Sequence, residues 1–107
     1  YIYKQSPEIF DITRLTTKLA EDLSGNTHEW TTNNAFVMDQ TSEYEGGKSG
    51  FTPEAHGTLV SIWSPSYDEG VVRPLAIVIL GAPNAIGAKY NETRKIIDYV
   101  KKYVVYR

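Results

Sequence analysis

The sequence predicts an α+β domain: an antiparallel three-strand meander with a short N-terminal helix and a C-terminal helix. Three observations lead there. Between Tyr44 and Ser64, two strand-like segments are separated only by the turn residues Thr52-Pro53-Glu54-Ala55. Leu75 to Leu80 is an unbroken apolar run between Pro74 and Gly81. Near the end of the chain, Ile96, Ile97, Val100, Tyr103 and Val104 recur at helical spacing. The connections between the strands are short, and parallel strands would need a crossover of a dozen residues or more.

In chain order, Tyr1-Ile2-Tyr3 reads as short and strand-like. Ser6-Pro7-Glu8 reads as a helix start: Ser6 to cap free amides, Pro7 at the first helical position, Glu8 at the positive end of the dipole. Ile9, Phe10 and Ile12 give that helix an apolar side. Thr13, Thr16 and Thr17 then favour extended chain, although Lys18 to Leu23 could continue helically. Ser24-Gly25-Asn26 is a turn. His28 to Val37 reads as extended, with Asn33-Asn34 in its middle, and Asp39 to Glu43 as a polar loop. Leu59, Ile62 and Trp63 are core candidates. Pro65 to Gly70 and Gly81 to Gly87 are loops. The run from Leu75 to Leu80 suits a strand buried on both faces, and Tyr90 to Tyr103 suits a helix capped by Asn91. Tyr99, Tyr103 and Tyr106 are expected to pack.

Composition sets the bounds. The chain has 107 residues, 41% hydrophobic and 22% charged, which is ordinary for one globular domain or part of one. Net charge is −2 and there is no polybasic run, so nothing points to nucleic acid or an anionic membrane surface. Absence of cysteine excludes disulfides, thiolate zinc sites and cysteine nucleophiles. His28 and Glu29 make no metal set, which needs three or more ligands. No cofactor is called for. The chain begins at Tyr1 rather than Met, so an excised or processed piece is expected.

The stretch Gly46-Gly47-Lys48-Ser49-Gly50 sets a cation and a hydroxyl side by side on a strand whose backbone is almost bare. Glycine in a strand marks either a bulge or a close approach by a ligand or another backbone. By residue type alone, a bulged hairpin is the simpler reading.

Larger order then emerges. Gly47-Lys48-Ser49-Gly50-Phe51-Thr52-Pro53-Glu54-Ala55 followed by Gly57-Thr58-Leu59-Val60-Ser61 resembles the Lys-Thr/Ser-Gly hairpin of the D-alanyl-D-alanine carboxypeptidases, the low-molecular-mass penicillin-binding proteins related to class A β-lactamases. Leu80-Gly81-Ala82 and Arg94-Lys95-Ile96-Ile97-Asp98-Tyr99 stand where that family has an apolar strand ending in Leu-Gly and a closing helix. Ser6-Pro7-Glu8 is similar to its Tyr-Pro-Glu helix start, and Thr32-Asn33-Asn34 to its Asn-x-Asn segment. The resemblance spans nearly the whole chain and implies part of the β-lactamase/transpeptidase-like fold.

The resemblance also implies a site. Lys48 and Ser49 would hold the terminal carboxylate of a peptide ending in D-Ala-D-Ala. Gly50 would leave the strand bare for an extended peptide to pair with. The amide of Phe51 would be one oxyanion donor. Lys89 stands where relatives place an arginine that meets the carboxylate, with charge kept and the bidentate fork lost. The family's nucleophile lies in Ser-x-x-Lys, which does not occur here, and Ser24-Gly25-Asn26 matches the second motif, Ser-x-Asn, only as a turn. Residues 1–107 are therefore expected to be the C-terminal portion of such a domain. That portion would be inactive alone and would need the N-terminal part of the same domain, from one precursor or a second chain.

The implied function is serine-type D-Ala-D-Ala carboxypeptidase chemistry on peptidoglycan stem peptides. β-Lactams would be ligands, and the location would be extracytoplasmic, at the periplasm or cell surface, with membrane association through segments outside this chain. Two rivals stay open. One is a non-catalytic peptide- or peptidoglycan-binding module. The other is an unrelated small α+β interaction domain whose Lys-Ser-Gly is accidental.

Overall fold

In chain order the elements are α1 (Ile2–Gln5), α2 (Glu8–Thr13), β1 (Thr17–Glu21), β2 (Thr27–Thr31), α3 (Ala35–Met38), β3 (Tyr44–Thr52), β4 (His56–Trp63), β5 (Leu75–Ala82) and α4 (Ala88–Tyr103). The computed structural model describes residues 1–66, 70, 73–83 and 87–104. Residues 67–69 of the expected loop Pro65 to Gly70 and 84–86 of the expected loop Gly81 to Gly87 lie outside the described residues, as do 71–72 and Tyr106.

The meander forms as the spacing predicts, with strand order β3-β4-β5 and both pairings antiparallel. A register shift between Tyr44 and Gly46 is the bulge that the glycines allow. Gly46 takes φ 135°, a conformation side chains rarely adopt, and a Cβ there would lie 2.6 Å from the Thr13 hydroxyl oxygen.

One sheet face holds the core. Phe36 is fully buried and meets Trp63 edge-on at 4.8 Å between centroids, Tyr90 at 5.1 Å and Tyr44 at 5.5 Å. Val37, Leu59, Ile77 and Ile97 complete this cluster. The Trp63 indole N–H donates to the buried Ser61 hydroxyl at 2.9 Å, so its polar atom is satisfied inside. Helix α4 covers this face with Tyr90, Thr93 and Ile97.

Several expectations need correction. Tyr1-Ile2-Tyr3 is not strand-like: one helical turn, α1, starts at Ile2. Ser6 does not cap α2 through its side chain; its carbonyl accepts the Ile9 amide at 3.2 Å. Extended chain wins over helix at Lys18, but it belongs to a separate two-stranded hairpin of β1 and β2. Asp22 organises that turn by accepting the amides of Ser24 and Asn26 and facing His28 Nε2 at 3.0 Å. The His28 hydrogen bond first, then those from Asn26, hold the Asp22 carboxyl well below the ordinary carboxylate range.

The extended reading of His28 to Val37 stops at Thr31, because Asn34 caps a short helix by accepting the Phe36 amide at 3.1 Å. Asn91 lies inside α4, which begins at Ala88 with Gly87 as its cap residue. Strand β5 is covered on one face only: Ile77 is buried, whereas Val78 and Leu80 are 55% and 75% exposed, since α4 packs on the opposite side. Tyr99 and Tyr103 are exposed and pack on each other at 5.0 Å rather than on the core.

Candidate functional site

The site grows from the free edge of β3. This strand pairs with β4 on one side only. On its other side, the Gly47 amide donates to the Thr13 hydroxyl at 3.1 Å, while that hydroxyl donates to the Phe10 carbonyl at 2.9 Å. Helix α2 thus clips one end of the strand. Amides alternate between the two edges of a β-strand. The register beyond Gly46 is unbroken, so the amides of Ser49 and Phe51 face the same open edge as that of Gly47.

Gly47 also fixes how closely the strands approach. A Cβ there would lie 2.2 Å from the Val60 carbonyl oxygen and 2.9 Å from the Tyr44 hydroxyl. On the next residue, Lys48 pairs in register with Val60 and projects from the face opposite the core. Its ammonium donates to the Ser49 carbonyl. The Ser49 hydroxyl reaches Asn33 Oδ1 at 3.4 Å.

A cleft of about 490 Å³ opens between this strand and the β1–β2 hairpin. Lys48, Ser49, Asn33, Asn34, Thr13 and Trp30 are among its lining residues. Asn34 is buried and braces the wall twice: it caps α3, and its Nδ2 donates to the Tyr44 hydroxyl at 2.8 Å. Burial pushes the Tyr44 phenol above its ordinary pKa, and the Asn34 hydrogen bond partly offsets this. We expect Asn34→Ala to cost about 1–3 kcal/mol in urea unfolding, since it removes a cap and leaves the Tyr44 hydroxyl unpaired. A change below about 0.5 kcal/mol would show that neither bond matters.

The five residues singled out from sequence separate into two groups. Lys48 and Ser49 sit together on the cleft wall. Gly50, Phe51 and Lys89 lie beyond it, with Lys89 Nζ donating to the Gly50 carbonyl at 3.2 Å and standing 5.5 Å from the Tyr90 ring centroid. Gly50 has its own packing reason, because a Cβ there would come within 2.7 Å of the Thr58 hydroxyl oxygen. Asn33, from the segment similar to the family's Asn-x-Asn, lines the cleft; Thr13, Lys18 and Trp30 line it too. Of these, only Asn33-Asn34 stood in a motif; the others arrive through tertiary packing.

Comparison with known proteins gives the fold class. No protein-family model and no curated protein matches the chain. Among solved structures, it shares the α+β fold of a DD-transpeptidase. One similar structure is a point mutant of the Streptomyces K15 DD-transpeptidase, with a TM-score of 0.69 and 22% sequence identity, covering 91% of this chain. This chain spans 37% of the length of that protein.

Proposed function

We propose that the chain forms the substrate-binding wall of a serine-type D-Ala-D-Ala carboxypeptidase domain acting on cell-wall peptides outside the cytoplasmic membrane. The observation that carries this reading is the open edge of β3, where the Ser49 and Phe51 amides stand beside the Lys48 ammonium and the Ser49 hydroxyl. An extended peptide can add itself to such an edge through main-chain hydrogen bonds. Lys48 and Ser49 would take its terminal carboxylate by charge and hydrogen bond. The Phe51 amide would meet the scissile carbonyl oxygen as negative charge develops on it. In this reading Lys89 acts on the wall itself, by holding the Gly50 carbonyl, and reaches the carboxylate as a single point charge. The nucleophilic serine would come from outside these residues, which contain no Ser-x-x-Lys.

The test is covalent labelling by a fluorescent penicillin of the product of the whole reading frame that encodes this chain. A stable adduct on a Ser-x-x-Lys serine is expected. If that serine is present and no adduct forms, the carboxypeptidase reading fails. A second reading, a non-catalytic peptide-binding module, would use the same open edge of β3 without a nucleophile. It gains if the whole reading frame lacks both Ser-x-x-Lys and Ser-x-Asn.

A further inference from the structure

The cleft lies on one side of the proposed reaction centre. It is lined on β3 by Gly47, Lys48 and Ser49, and not by Phe51. If the terminal carboxylate sits at Lys48–Ser49 and the scissile carbonyl at Phe51, the cleft lies on the leaving-group side. A single alanine needs little of it. About 490 Å³ falls within the roughly 300–1,000 Å³ that hosts a drug-sized ligand.

The lining has a chemical bias. Its ionisable side chains are Lys18 and Lys48, without a carboxylate, in a chain that is net negative overall. Among the described residues, no Asp or Glu forms an ion pair with either lysine, although Arg14, Arg94, Lys95 and Lys101 are all paired with carboxylates. Lys18 stands directly opposite Trp30 across the β1–β2 hairpin, so the two share one face of that hairpin. Trp30 is 60% exposed although it lines a cleft, which leaves ring surface for an aliphatic chain to lie on.

We infer that this cleft is a leaving-group pocket for a C-terminal D-residue with a long side chain ending in an anionic group, the chain lying on Trp30 and the charge meeting Lys18. This rests on the carboxypeptidase reading and deepens it by naming the residue released. In the step itself, the serine oxygen forms an ester with the acyl carbonyl, the C–N bond to the leaving residue breaks, and the serine proton ends on the departing amine.

The experiment uses the whole protein and three peptides that differ only in the last residue: D-Ala, a D-2-amino dicarboxylic acid with five methylenes between its α-carbon and distal carboxylate, and the ω-amide of the latter. Release is followed by chromatography at low ionic strength. The dicarboxylic residue should be released with kcat/KM about threefold to tenfold above its amide, and the gap should shrink with added salt, as an ion pair at a partly exposed site requires. Lys18→Gln should bring the acid and amide level. Release of D-Ala with rejection of both long residues would overturn the inference while leaving the carboxypeptidase reading standing. So would equal rates for acid and amide, or a Lys18→Gln effect identical on both. Absence of a penicillin adduct together with no release from any peptide would overturn both.

Discussion

Replacing Phe36 with Ala should cost about 3–5 kcal/mol, the range for emptying a buried aromatic site. Phe36 is 0% exposed and its ring meets Trp63, Tyr90 and Tyr44, while the Arg94 guanidinium carbon sits 5.0 Å from its centroid. Three elements, β3, β4 and α4, therefore touch this one side chain of α3. The void left cannot close without moving a helix off a sheet. A domain of this size holds roughly 5–15 kcal/mol in total, so the variant should be partly unfolded at 37 °C. Urea titration followed by Trp63 fluorescence measures the change, and Phe36→Leu should lose much less. A loss below about 1.5 kcal/mol for Phe36→Ala would mean that the cluster relaxes around the gap.

The second large effect concerns chemistry. Under the proposed function, Lys48→Ala in the whole protein should slow acylation by penicillin by roughly 100-fold or more, since deleting a cation opposite a bound carboxylate typically costs about 2–5 kcal/mol. Stability should change little, because the Lys48 side chain is exposed and its only described hydrogen bond is to the neighbouring Ser49 carbonyl. Measuring the acylation rate beside the melting temperature separates the two. Wild-type acylation would remove Lys48 from the proposed role, whereas a matching fall in melting temperature would make it a structural residue.

These two residues also mark what could be read in advance. Lys48 and Ser49 could be singled out because they stand in a short ordered set of residue types, and the structure places both on the cleft wall. The β3–β4 hairpin and α4 were legible because turn chemistry and helical spacing act locally. Phe36 was not, since the segment from Ala35 to Met38 is rich in strand-forming types and only the Asn34 cap turns it into a helix. The β1–β2 hairpin escaped for a related reason. Four of its five β1 residues and all five of its β2 residues are exposed, so neither strand shows the alternation that marks a buried face. Strand β5 misled in the other direction. Its apolar run signals burial on both sides, and this chain covers one. The cleft partners Thr13, Lys18 and Trp30 come from elements far from Lys48 in sequence, and no local pattern links them.

The close approach at Gly47 bears on how such a chain can drift. The distance between β3 and β4 there is set by main-chain atoms, with no room for even a methyl group between Gly47 and the Val60 carbonyl. A wall positioned by backbone keeps its place while neighbouring side chains are exchanged, so selection can rewrite the chemistry of the cleft without rebuilding it. The chain shares its fold, at a TM-score of 0.69, with a structure to which it is 22% identical. The close approach also implies that among divergent chains of this shape the glycine should outlast the residues flanking it.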